Sequence, residues 1–122
     1  MSGTTPSKVN LAKKFAQFDE HWAPRIAGRY NDNEIRLAKA SGDFQWHSHT
    51  DSDELFLVIE GELHMEFRDR VEVIGPGELI IVPRGVEHFP RVPHGEVKMV
   101  IIDPKDTANT GDPETAFTPV EV

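Results

Sequence analysis

His47 and His49 stand two residues apart, Glu54 follows five residues later, and His88 lies well downstream. In a β-strand, side chains two apart share a face at roughly 6.5 Å, so the two imidazoles can address one cation. The polar stretch Thr50-Asp51-Ser52-Asp53 is long enough to reverse the chain and lay the next strand alongside at about 4.8 Å, bringing the Glu54 carboxylate beside the imidazoles. Pro83-Arg84-Gly85 is a stiff turn that can project His88 from a distant strand. Neutral imidazole suits divalent iron, nickel, copper and zinc, and one carboxylate offsets part of the dication charge. Four such ligands fit an octahedron with two open positions, where substrate, water or dioxygen can meet the ion directly.

The elements that hold these residues come from a chain of 122 residues, enough for one domain with its own core. Acidic residues outnumber basic ones by 21 to 13, for a net charge of -8, which repels a phosphate backbone; no basic stripe with interleaved aromatics is present, so nucleic acid is not an expected partner. No apolar run approaches the length of a membrane span, and Met1 to Asn10 lacks the regions of a signal peptide, so no membrane association is expected and a cytoplasmic location is. Cysteine is absent, which excludes disulfides, thiolate nucleophiles and sulfur-ligated zinc; any metal must be held by nitrogen and oxygen.

Between Ser7 and Phe18, apolar positions at Leu11, Phe15 and Phe18 predict one face of a short helix, which Trp22-Ala23-Pro24 cannot continue. From Arg25 to about Val100, short apolar runs alternate with turn signals at Asn31-Asp32-Asn33, Ser41-Gly42-Asp43, Gly61-Glu62, Arg68-Asp69-Arg70 and Gly75-Pro76-Gly77. Many short strands at this spacing predict a sandwich or barrel. Glu54, Phe56 and Val58 share one face of their strand and Leu55, Leu57 and Ile59 the other, so both faces are to be covered, one by the barrel interior and one by a second sheet or another subunit. Leu79 to Val82 and Val97 to Ile102 read the same way, and these three runs favour a homodimer. The expected layout is an N-terminal arm with its helix over residues 1–24, a barrel over 25–103, and an extended, partly mobile tail over 104–122, rich in Pro, Thr and Asp.

The residues around the four donors resemble the two-part cupin signature. Its first part reads Gly, five residues, His-x-His, three or four residues, Glu, six residues, Gly; Gly42, His47, His49, Glu54 and Gly61 match it, with one residue fewer before His47. Its second part reads Gly, five residues, Pro-x-Gly, two residues, His, three residues, Asn; Gly77, Pro83, Gly85 and His88 fit, and Val92 stands in place of the Asn. Trp22-Ala23-Pro24 and Asn109-Thr110-Gly111 are similar to small single-domain bacterial cupins labelled mannose-6-phosphate isomerase-like. The resemblance implies an all-β, single-domain antiparallel jelly-roll β-barrel, commonly a homodimer, with His47, His49, Glu54 and His88 as metal ligands. It also implies a divalent transition metal such as iron, manganese, nickel or zinc. The family includes dioxygenases, decarboxylases and isomerases as well as members that only bind a small molecule, so fold does not fix the reaction.

The leading expectation is therefore a metal-dependent enzyme of oxidoreductase or isomerase type acting on a small molecule. The alternatives are a metal-bearing binding or sensing module without turnover, or a barrel with vestigial ligands. His64 has the opposite parity to Leu63, Met65 and Phe67 and is expected to face outwards; His21 and His94 read as surface residues. Asp51 and Asp53 read as solvated loop acids rather than general bases. Phe44, Trp46, Phe56 and Phe89 read mostly as core, with Trp46 and Phe89 expected nearest a pocket because they adjoin ligands. Arg84 and Arg91 are expected to be solvated.

Overall fold

The computed structural model describes residues 6–112 and 116–122. Its one helix among them, α1 (Leu11–Phe15), is shorter than the apolar spacing predicts. The Asn10 side chain caps it by accepting the Lys13 amide at 3.0 Å, and the chain leaves the helix after one turn, so Phe18 reaches the same apolar layer as Phe15 from non-helical backbone.

Eight strands follow: β1 (Arg25–Tyr30), β2 (Asn33–Asp43), β3 (Glu54–Glu60), β4 (Leu63–Glu66), β5 (Val71–Ile74), β6 (Leu79–Val82), β7 (Phe89–Pro104) and β8 (Val120–Glu121). They form one sheet, antiparallel except for the short β1–β8 pair, in which β2 and β7 are the shared spine. β7 pairs β4 through its first residues and β3 through its last, so the sheet folds over itself and the two flaps face each other. The sheet does not close, because β5 pairs only β4 and β6 pairs only β3. Asn31-Asp32 turns the β1–β2 hairpin as its composition predicts. Ser41-Gly42-Asp43, however, is no turn: β2 runs through it, and Gly42, with φ of +73°, lies where the β2–β7 register shifts. A positive φ serves a bulge as well as a turn, so composition alone does not separate them.

The interior packs Phe56, Val58, Leu63, Met65, Val82, Val97, Met99 and Ile101 into one cluster, each side chain contributing about 1.5–3 kcal/mol by burial where it is large. A second layer lies outside, where Phe15, Phe18, Leu37 and Val100 pack with Leu57, Ile59 and Ile102. The outer face of β3 is thus covered by the chain's own N-terminal arm. The arm is pinned there by Lys39, whose Nζ donates to the Phe18 carbonyl at 2.7 Å while sitting 5.3 Å from the Phe18 ring. On β6, Leu79 and Ile81 are 55% and 54% exposed, so the chain itself leaves that outer face uncovered. Among the described residues, no helix is long and apolar enough to cross a membrane.

Candidate metal centre

His47 and His88 meet in an isolated antiparallel bridge, with the His47 amide donating to the His88 carbonyl at 3.0 Å and the reverse bond at 2.9 Å. Both side chains therefore emerge on the same face. His49 is fixed to the His88 turn as well, because its carbonyl accepts the Gly85 amide at 2.7 Å. Glu54 opens β3, whose neighbours are β6 and β7 rather than the histidine segment. The expected hairpin between His49 and Glu54 is therefore absent; the carboxylate arrives from the opposite flap, on the interior parity of Phe56 and Val58. Asp53 helps to hold the loop by accepting the Arg84 amide at 2.9 Å, which keeps its carboxyl below the usual range.

The ligand atoms of His47, His49, Glu54 and His88 all lie within 4.8 Å of one another. Glu54 Oε1 is 3.2 Å from His49 Nε2 and 3.4 Å from His88 Nε2. His88 Nδ1 lies 2.9 Å from the Val86 carbonyl and His47 Nδ1 lies 3.0 Å from the Gln45 carbonyl. A carbonyl only accepts, so Nδ1 carries the proton in each ring and, in the neutral imidazoles, Nε2 presents a lone pair. The acceptors that orient two of the rings are thus the carbonyls two residues earlier. His49 Nε2, Glu54 Oε1 and His88 Nε2 are buried and have no hydrogen-bond partner. Lone pairs facing one another in a site where His88 is 0% and Glu54 4% exposed repel unless a proton or a cation lies between them. Neighbouring ligands of an octahedral ion with bonds of about 2.1 Å are about 3.0 Å apart, close to the separations seen here. The donor set fits a divalent metal.

The electrostatics agree. Burial opposes ionisation of Glu54, but the adjacent His49 and His88 outweigh it and bring the carboxyl to about 2. His47 is lowered to about 4, first by burial and then by its neighbour His88. Asp103, 1% exposed at the end of β7, is raised to about 9 by burial and by the charge and hydrogen bond of Glu54, so it holds a proton against that carboxylate at neutral pH.

Beside the donors lies a cavity whose free volume, counted as the space open to the centre of a water-sized sphere, is about 30 Å³. His47, Glu54, Trp22, Phe44, Arg36 and Asp103 are among its walls. Trp46 and Phe89, expected nearest the pocket, are not: each follows or precedes a ligand by one residue and points away, and the two rings meet edge to face at 5.5 Å. Phe44 faces the cavity because residues 44–46 leave the regular strand. His64 faces outwards as its parity requires, bonded to Glu62, and His21 pairs with Glu96 on the surface. Arg91 pairs with Asp43 and Glu66. Arg36, Asp103, Trp22 and Asn109 are cavity residues that motif reading missed. Asp103 and Arg36 do carry a signal, since Asp103 has the parity of Met99 and Ile101, and Arg36 that of Ala38.

A folded-over antiparallel sheet with a buried cluster of imidazoles and carboxylate defines a barrel-type protein competent to hold a metal. The cupin domain profile matches residues 33–104, and the chain belongs to the cupin family. It is 39% identical over 83 residues to the uncharacterised protein YdbB of Bacillus subtilis, spanning 60% of this chain and 74% of that protein. Among solved structures it is similar to a cupin-2 domain protein of Shewanella frigidimarina, at 42% identity and a TM-score of 0.78 over 80% of this chain and 94% of the other. It is also similar to NMB1881 of Neisseria meningitidis, at 32% identity and a TM-score of 0.74 over 81% of this chain and all of that one.

Proposed function

We propose that the protein is a metal-dependent cupin enzyme acting on a small molecule, with His47, His49, Glu54 and His88 as the protein ligands of one divalent ion. The observation that carries this reading is the convergence of three buried donor atoms without hydrogen-bond partners, accompanied by His47. An ion held there supplies Lewis acidity or, for iron and manganese, a one-electron couple. The chain supplies the rest. The Gln45 and Val86 carbonyls keep the His47 and His88 rings in the tautomer that offers Nε2, Glu54 contributes one negative charge, and Asp103 holds a proton at its carboxyl against Glu54. The walls formed by Trp22 and Phe44 exclude bulk water from one side of the donors.

The test loads purified protein with iron(II), manganese, nickel or zinc and assays it against small β-dicarbonyls and short monocarboxylates, with oxalate, phenolics and sugar phosphates as larger or more highly charged comparisons. Both substrate loss and oxygen uptake are followed. Turnover with one metal, abolished in Glu54→Ala, supports the reading. A small molecule that binds the loaded protein and is recovered unchanged would make it a binding module instead. A second copy of the chain is the partner we infer, because β6 exposes Leu79 and Ile81 next to Leu57 and Leu55, its pairing partners on β3.

A further inference from the structure

Trp22 adopts an unusual backbone conformation for so bulky a residue, with φ of +58°, and conformations of this kind cost about 1–3 kcal/mol. Three hydrogen bonds hold it there: its amide donates to the Lys39 carbonyl at 2.9 Å, its indole Nε1 donates to the Ser41 carbonyl at 3.0 Å, and its carbonyl accepts from Asn109 Nδ2 at 3.4 Å. β2 and the segment after β7 thus both hold Trp22, and β2 bonds its indole directly. That ring stacks on Phe44 at 5.0 Å and 25°, and Phe44 meets His47 edge-on at 5.4 Å. The two aromatic residues wall the cavity on the side of His47.

The size of that cavity decides what fits. About 30 Å³ of space for the centre of a water-sized group accommodates a few such groups side by side, and Trp22 and Phe44 are the wall that a larger, ring-bearing molecule would meet. Arg36 does not add an anchor for a doubly charged anion, because Glu34 takes its Nε and Nη2 at 3.2 and 2.8 Å and the Thr107 carbonyl takes Nη1 at 2.9 Å.

We propose that Trp22, braced against Phe44, is a specificity-determining residue that restricts the metal centre to small oxygen- or nitrogen-donor molecules that are neutral or singly charged, and excludes ring-bearing ones. The proposal rests on the metal reading above. Its test uses the Co²⁺-loaded full-length protein, whose visible absorption reports a new ligand on the ion, titrated with azide, formate, acetate and benzoate. Wild type is expected to respond to the first three and to discriminate against benzoate, while Trp22→Ala gains benzoate binding by about tenfold or more relative to acetate. Trp22→Phe is expected to keep the discrimination. Phe44→Ala, which leaves the backbone bonds of Trp22 in place, is a second route to the same gain should Trp22→Ala fold poorly. Benzoate binding by wild type as tight as acetate, or an acetate-to-benzoate ratio unchanged in both alanine variants, overturns the proposal while the metal reading stands. A wild type that takes up no Co²⁺ overturns both.

Discussion

His47 and His88, far apart in sequence, are a mutual backbone pair, each amide bonded to the other's carbonyl at 3.0 and 2.9 Å. The pairing is made by main chain, so it does not depend on either imidazole. His47→Ala and His88→Ala are therefore expected to lower metal affinity by at least ~100-fold while the far-ultraviolet spectrum of the barrel persists. Competition against a chromophoric chelator measures the first and circular dichroism the second. Full occupancy in either variant would remove that residue from the ligand set.

Gly111 bears on the same site from outside it. Its φ is +77°, and a Cβ built on it would collide with the carbonyl oxygen of Ser48, the residue between His47 and His49. Gly77, with φ of +80°, has open space around the same position. Gly77→Ala should thus cost only backbone strain, about 1–2 kcal/mol, whereas Gly111→Ala should also displace Ser48 and weaken metal binding by roughly 10–100-fold. Chelator competition on the two variants side by side checks this; equal metal affinity in both would show that Gly111 does not hold the histidine segment.

Asp103 and His47 titrate in opposite senses. Asp103 is raised to about 9, so between about pH 4 and 9 the folded chain keeps a proton that the unfolded chain releases, and stability from this group falls as pH rises. His47 is lowered to about 4, so its contribution is present above about pH 6.5 and lost as pH falls towards 4. Of the two, only Asp103 titrates between about pH 6.5 and 9. Metal-free protein is expected to lose stability to urea over that interval, by up to roughly 1.4 kcal/mol per pH unit, and Asp103→Asn to flatten the slope. An unchanged slope in the variant would rule out Asp103 as its source.

That His47 and His49 share a face was legible because parity is local, whereas His88 was joined to them only through the turn Pro83-Arg84-Gly85 and the family resemblance. How Glu54 reaches them was not, since parity tells which face a residue takes and says nothing of which strand lies beside it. Trp46 and Phe89 were misplaced for the opposite reason, as adjacency to a ligand in a strand means the other face. Asp103 shares the inward parity of Met99 and Ile101, but an acid followed by Pro104 at a strand end reads as solvated, and the two signals pull apart. The brace on Trp22 joins residues 22, 41 and 109, and nothing local signals such a contact.

β6 leaves a question that solution measurements answer. Ile81 and Leu79 are the exposed apolar pair on the outer face, beside their half-buried β3 partners Leu55 and Leu57, and among the described strands β6 has no neighbour on its far edge. Exposed apolar strips beside a free edge promote association, and a second copy can cover both. Sedimentation equilibrium of the wild type is expected to give twice the monomer mass, and Ile81→Asp or Leu79→Asp to shift it to the monomer without loss of metal binding, because neither residue lines the cavity. A wild type that sediments as a monomer at all accessible concentrations would overturn the dimer. A dimer unaffected by either aspartate would move the interface to another face.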